Sequence, residues 1–266
     1  MTGAWARALL AVARRDAQIL LSYRSTFYSR PAGVVFTLAL FYFVSRLLTV
    51  SRFSSPNAYF SYVAVGIVIF GVVTSSLLAP ARVRDELVAG TYERLELSAT
   101  GGSAAVLAML IVPFAYAIAL SVLTLLVACA VFGMHLHWST VPLAIPTGLL
   151  GALAFAPFAL VFSAITLAFK QAPGQGALLP ALSIVSGLYF PVDLLPSWMR
   201  WLSEVQPLTP TVDVVRYALL GTHPPDSIAA ALLRLVGFAA VGMPIALAAL
   251  SAAHRLGRRR GTLLES

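Results

Sequence analysis

Charged side chains crowd together at residues 84–95, Arg-Asp-Glu-Leu-Val-Ala-Gly-Thr-Tyr-Glu-Arg-Leu. Asp85, Glu86, Glu93 and Glu96 are four of the chain's 10 acids; Arg82, Arg84 and Arg94 stand among them, between long apolar segments. Burying such charges costs free energy unless each finds a partner. The block therefore predicts an exposed surface for a soluble partner to grip. Catalytic chemistry is not expected. A phosphate-binding loop of the Walker type needs a Gly-Lys-Ser/Thr triplet, with lysine on the phosphates and the hydroxyl on magnesium. The single lysine, Lys170, lies between Phe169 and Gln171. ATP and Mg2+ are thus expected on another chain, with no cofactor on this one. His135 and His137 share the segment Gly-Met-His-Leu-His-Trp. Zinc wants three or four protein ligands, so they read as solvated turn histidines and no metal site is expected. His223 and His254 are isolated. No Ser-His-Asp or paired-carboxylate set can be argued, so the chain is not expected to be an enzyme.

The elements that carry these residues follow from composition. Hydrophobic residues make up 59% of the 266 and charged residues 11%, against about a quarter charged in soluble domains. A mean hydropathy of +0.88 indicates a polytopic membrane protein. The net charge is +8, but the arginines are scattered between apolar runs and form no stripe, so nucleic acid is not an expected partner. Cys129 sits in an apolar run and reads as a small packed hydrophobe. Arg7, Arg14, Arg15 and Asp16 interrupt the N-terminal apolar residues, which argues against a cleaved signal peptide.

A bilayer core about 30 Å thick takes about 20 apolar residues in a helix. The segments 32–50, 58–79, 103–132, 140–169, 174–192 and 229–252 qualify, giving six expected spans. Pro113, Pro142, Pro146 and Pro157 predict kinks. With the N-terminus inside, the inner side holds Arg7, Arg14, Arg15, Arg24, Arg30, Arg82, Arg84, Arg94, Lys170, Arg255, Arg258, Arg259 and Arg260. That is 13 of the 18 basic residues, leaving Arg46, Arg52, Arg200, Arg216 and Arg234, which is 5, outside. The bias predicts both termini inside. Arg46 and Arg234, near outer span ends, either snorkel or meet an anionic substrate. No acid falls near the middle of a span, which weighs against a self-sufficient, ion-coupled secondary carrier. Residues 4–22 place Trp5, Leu9, Val12, Ile19 and Leu20 on one face and Arg7, Arg14 and Gln18 opposite, as an amphipathic helix in the interface would; Asp16 breaks the pattern. Residues 193–221 are too polar to span and too apolar for a free loop. Pro196, Pro207 and Pro210 cut them into short helices, and Trp198 and Trp201 suit the headgroup layer. Two helices dipping into the outer leaflet and returning are expected. The fold class is thus all-α membrane protein, one transmembrane domain over 1–266.

Two motifs carry a family resemblance. One is Glu86-x-x-x-Gly90-Thr91-x-Glu93-x-Leu95. The other is Gly187-Leu-Tyr-Phe-Pro191…Leu195-Pro196-x-Trp198…Pro207-Leu-Thr-Pro210…Asp213-x-x-Arg216…Gly221. With the N-terminal helix and the six spans, they make the chain resemble the ABC type-2 exporter permeases, the membrane half of drug and polysaccharide ATP-binding-cassette exporters. The resemblance implies a coupling helix in the 82–98 loop, with Glu86, Gly90, Thr91, Glu93 and Arg94 at the ATPase interface. Physically, Gly90 permits a sharp turn, Thr91 can cap a helix, and Glu93 falls in its first turn, where the dipole favours an acid. Ser98-Ala-Thr-Gly replaces the proline that often ends this loop in the family.

The resemblance further implies two ATPase subunits, a second permease (here a homodimer) and a multi-pass location in a bacterial plasma (inner) membrane. It places the substrate between permeases, with Phe36, Tyr42, Arg46, Tyr189 and Phe190 as candidates for the path. Pro191, Pro196, Trp198, Pro207, Pro210, Asp213 and Arg216 belong to a re-entrant gate. The expected cargo is a hydrophobic drug or lipid; the alternative is a lipid-linked glycan or teichoic-type polymer.

Overall fold

The structure is a computed structural model. It describes residues 10, 14, 15, 17, 18, 22, 24–47, 53–76, 78–90, 102–169, 175–222 and 227–260. The predicted interfacial helix 4–22 therefore lies almost wholly outside the described residues. The described residues form helices joined by turns, without strands. In chain order they are α1 Arg24–Leu47, α2 Pro56–Ser76, α3 Leu78–Val88, α4 Gly102–Ala130, α5 Ala144–Phe169, α6 Gln175–Val185, α7 Ser197–Glu204, α8 Leu208–Leu220 and α9 Ile228–Arg260. Single 3-10 turns at Val141–Leu143 and Val192–Leu194 lead into α5 and α7.

Five stretches are long and apolar enough to cross a membrane: Tyr28–Leu47, Pro56–Val88, Ile111–Ala130, Val141–Phe169 and Ile228–Gly257. The fifth expected span, 174–192, is represented by the 11-residue α6. At 1.5 Å per residue that is about 16 Å, near half the hydrocarbon thickness. Its helix stops because Gly187 turns the backbone to φ +75°, a conformation open to glycine and costly for other residues. The turn after α6 thus begins at residue 186, before residue 193, where the pair of short helices was expected to start. At the other end of the chain, α9 runs to Arg260, past the expected span end at residue 252. Pro113 and Pro157 lie inside α4 and α5, whereas Pro142 belongs to a 3-10 turn. Pro146 occupies the first turn of α5, where no intrahelical donor is lost.

Two helices form the centre. In α2 and α5, 57% and 56% of the apolar window is buried, against 11% in α1 and 22% in both α4 and α9. The α5 helix packs on α2, α3, α8 and α9. Small residues make this possible: Gly151, Ala152, Ala154, Ala159, Ser163 and Ala164 are buried along α5. Lipid tails are as apolar as leucine, so close backbone approach at small side chains does much of the helix association in a bilayer. A Cβ on Gly151 would sit 2.2 Å from Thr211 Cγ2, and one on Gly242 2.9 Å from Pro157 Cγ. Buried hydroxyls return to their own helix, as Ser163 Oγ does to the Ala159 carbonyl (2.8 Å) and Thr166 Oγ1 to that of Phe162 (2.8 Å), leaving no polar atom bare in an apolar layer.

The core divides by level. One cluster gathers Leu38, Phe60, Phe155, Leu188, Leu208 and Leu219. The other joins Val83, Val106, Leu160, Leu167, Leu250 and Ala253. Gly242 faces Pro157, and the second cluster gathers Leu160, Ala164 and Leu167 with Ala246, Leu250 and Ala253, residues that follow those two on each helix, so α5 and α9 run parallel.

Candidate functional site

Two sites are legible in the geometry, one at each end of the α2–α3 pair. At the first, Asp85 and Glu86 of the charged block belong to the last turn of α3. Gly90 follows with φ +65°. Its N–H donates to the Leu87 carbonyl (3.2 Å) and that of Ala89 to the Asp85 carbonyl (2.9 Å). This is a helix stop at glycine, which bears out the turn expected there. Glu86 accepts a 2.7 Å bond from Arg15 Nη2 and its side chain is only 17% exposed. Its carboxylate ties the N-terminal segment to α3 within the chain, whereas the sequence had it facing a separate protein. Asp85 and Arg84 are exposed. Thr91, Glu93 and Arg94 lie outside the described residues.

At the second site, the chain between α6 and α9 is pinned to α2. The Tyr62 hydroxyl donates to the Gly187 carbonyl (3.0 Å). Leu188 lies so close to α2 that a Cβ on Gly66 would sit 2.5 Å from the Leu188 carbonyl oxygen. Arg216 of α8 supplies the clasp. It is 3% exposed. Its Nε and Nη2 donate to the Tyr62 carbonyl (3.2 and 3.1 Å), and Nη2 also to the Leu188 carbonyl (2.8 Å). The guanidinium carbon stands 3.3 Å from the Tyr62 ring centre, which adds cation–π attraction. Burial pulls the Arg216 pKa down to about 10, so the group stays charged at neutral pH. The charge of Asp213, one turn earlier, favours the cation. Arg216, expected among outer-side residues, is thus an internal fastener of three chain segments.

The rest of this region matches the expected pair of short helices. Pro196 precedes α7 and Pro207 precedes α8, with Pro210 in its first turn, and Gly221 ends α8 at φ +70°, following the rule of proline at the start and glycine at the end. Arg200 holds the entry turn, donating to the carbonyls of Leu195 (2.9 Å) and Asp193 (2.7 Å). Trp198 and Trp201 stand exposed on α7, Pro191 is half-buried and Pro196 exposed. The second helix is no surface cap: Leu208, Val212 and Val215 of α8 belong to the core. Gln206, between the helices, is buried. Its Nε2 donates to Thr209 Oγ1 (2.9 Å), and its Oε1 has no partner among the described residues. His137 ties the α4–α5 turn to α8, its N–H donating to the Leu219 carbonyl (2.9 Å) and its Nδ1 lying 3.0 Å from both the Ser139 and Thr140 hydroxyls.

The described residues that match known proteins extend through both sites: residues 7–220 fit the family described as ABC-2 type transporter. The chain belongs to the ABC-2 type transporter family. No curated protein compared with it matches. An ABC-2 chain is a membrane transport domain, generally not catalytic, and membership implies an ABC ATPase partner. Together with the long apolar helices, it makes the chain an integral membrane permease. The family match ends where α8 ends, so α9 lies beyond it.

Among the expected path residues, Phe36 is exposed on α1. Tyr42 is instead an aromatic packing residue, with ring centres of Phe60 and Phe132 at 5.5 and 5.1 Å. Arg46 lies over the Tyr42 ring and donates to the Tyr42 hydroxyl (3.0 Å) and Asn57 Oδ1 (2.9 Å). Tyr189 stacks on Phe41 at 5.3 Å, and Phe190 is half-buried beside it. Sequence reasoning missed Tyr62 and Gly66. Their only sequence signal is an apolar helix that happens to carry a tyrosine and a glycine four residues apart.

Proposed function

We propose that this chain is the transmembrane subunit of an ATP-driven exporter, moving a hydrophobic drug or lipid-like substrate outward across a bacterial inner membrane. Two copies pair with two ATPase subunits. The observation that carries this reading is the family match over 7–220, joined to the serial arrangement of α3, α2 and the Arg216 clasp. An ATPase gripping the exposed charges near Gly90 pushes on α3. The load passes along α2 to Tyr62 and Gly66, and from there to the turn at Gly187 and to α8. Rigid elements with direct contacts can carry such a displacement. The spans run from the inside outward in the order the arginine bias gives, with both termini inside.

The exposed stripe Phe36, Leu40, Phe43 and Leu47 on α1 supports a homodimer. These positions share one helix face, and α1 is the least buried span. A second copy of the chain covers this face, and the substrate passes between the copies.

The test is co-purification with the partner ATPase, followed by Glu93→Lys and Glu93→Ala. Both variants are expected to remain folded and inserted while substrate-stimulated ATP hydrolysis falls to the basal rate. Transport and stimulated hydrolysis at wild-type levels in both variants would refute the coupling assignment.

A further inference from the structure

A groove of about 760 Å³ runs between α5 and α9, open on its long side. Its walls are apolar and aromatic, with Phe158 and Phe162 from α5 and Phe238 from α9. These positions lie within two segments long and apolar enough to cross a membrane, and Gly237, Val241 and Ile245 on the groove are exposed. Glycine makes room for it: a Cβ on Gly237, which lines the groove, would meet nothing within 4 Å. Two charged residues border this space, Glu204 and Arg234. Arg234 has interactions within the chain. It lies eight residues before Gly242, which faces Pro157, so it is about 12 Å nearer the N-terminal end of α9.

Glu204 is the last residue of α7. It lines the groove together with Val205, so an acid faces this space although the lining residues from α5 and α9 include none. It is exposed to the groove's open side. Among the described residues no hydrogen bond or ion pair engages its carboxylate. A carboxylate beside an apolar wall is a place where a cation with apolar groups finds both a counter-charge and apolar contact. A cation seated against it would be attracted by the carboxylate, while aromatic faces add cation–π attraction.

We infer that this groove is a lateral binding site for lipophilic monocations, with Glu204 as the counter-ion and Phe158, Phe162 and Phe238 as the aromatic wall. The chemical class is a compact organic cation with large apolar groups, arriving from the bilayer. This sharpens the exporter reading above and rests on it for the step after binding; the binding itself does not require transport.

The full-length chain in phosphatidylcholine nanodiscs, without ATPase, is titrated with radiolabelled tetraphenylphosphonium by flow dialysis. Tetraphenylborate, of the same shape and opposite charge, is the control. Saturable tetraphenylphosphonium binding is expected, at least tenfold tighter than that of tetraphenylborate. Glu204→Gln should weaken the cation tenfold or more and leave the borate unchanged. Gly237→Leu, whose Cβ meets nothing within 4 Å, adds bulk to the groove lining and should weaken both. The inference is overturned by non-saturable partitioning alone, by equal cation affinity in wild type and Glu204→Gln, or by tight borate binding lost in Arg234→Gln. A disulfide between copies through an introduced Gly237→Cys, in a Cys129→Ser background, would overturn it too, because a second copy would then fill the groove. Cation binding without transport would sink the exporter reading and leave the site standing; transport with no cation binding would do the reverse.

Discussion

At the residue scale, the outer clasp depends on one buried cation and one missing side chain. Arg216 satisfies the Tyr62 and Leu188 carbonyls at once. Arg216→Ala takes this donor from the Leu188 carbonyl and a second donor from the Tyr62 carbonyl, which lies within α2, and opens a void in a packed site. That should cost about 2–4 kcal/mol, combining unsatisfied acceptors with lost packing. Arg216→Lys should fall between, because an ammonium lacks the planar fork that reaches two carbonyls. The ranking wild type, Lys, Ala in apparent Tm, measured in one detergent, checks this. Glycines on α2 give a paired test. Gly66→Ala forces a Cβ onto the Leu188 carbonyl, whereas Gly71 has open space around its Cβ position. The first should destabilise by about 1–3 kcal/mol, the second stabilise by about 0.5–1 kcal/mol through helix propensity. Opposite shifts in Tm for two alanines on one helix are the expected outcome.

At the element scale, α3 and the N-terminal segment act together through Arg15 and Glu86. Arg15 is 42% exposed, so solvent screens the pair and a coupling of about 0.5–1 kcal/mol is the reasonable size. Arg15→Glu and Glu86→Arg should each lower the apparent Tm, and the double swap should recover most of the loss. Additive losses in the double variant would show that the two side chains do not couple. The helices α7 and α8 show how far an element can be read from the chain. Pro196, Pro207, Pro210 and Gly221 announce their starts and stops, because proline and glycine restrict backbone geometry whatever surrounds them. Nothing in those residues says that α8 packs into the core against α2 and α5 while α7 leaves Trp198 and Trp201 outside.

At the scale of the whole molecule, a central pair, α2 and α5, is flanked by α1, α4 and α9, whose apolar windows are far less buried. The exposed α1 stripe predicts where two copies meet. In a Cys129→Ser background, single cysteines at Leu40 or Leu47 should cross-link copies in native membranes, while one at Leu123 of α4, also exposed, should not. Cross-linking at Leu123 alone would move the interface to α4. Five of the six expected spans coincide with long apolar helices, because a run of about 20 apolar residues leaves a membrane helix few alternatives. The stretch 174–192 does not, because Gly187 ends its described helix early and a hydropathy pattern does not register a turn set by one glycine's φ.

The chain's own order of residues determined the all-helical membrane fold, the charged end of α3, the turn at Gly90 and the two short helices before α9. Each depends on local composition or on a single residue's backbone freedom. Only the tertiary structure decided that Glu86 is held by Arg15, that Arg216 joins Tyr62 to Leu188 across gaps of 154 and 28 residues, and that Glu204 lines the groove between α5 and α9. Those outcomes depend on which helices become neighbours. Small side chains along α5 and α2 settle that by letting backbones approach, a property of surfaces in contact that no single segment contains.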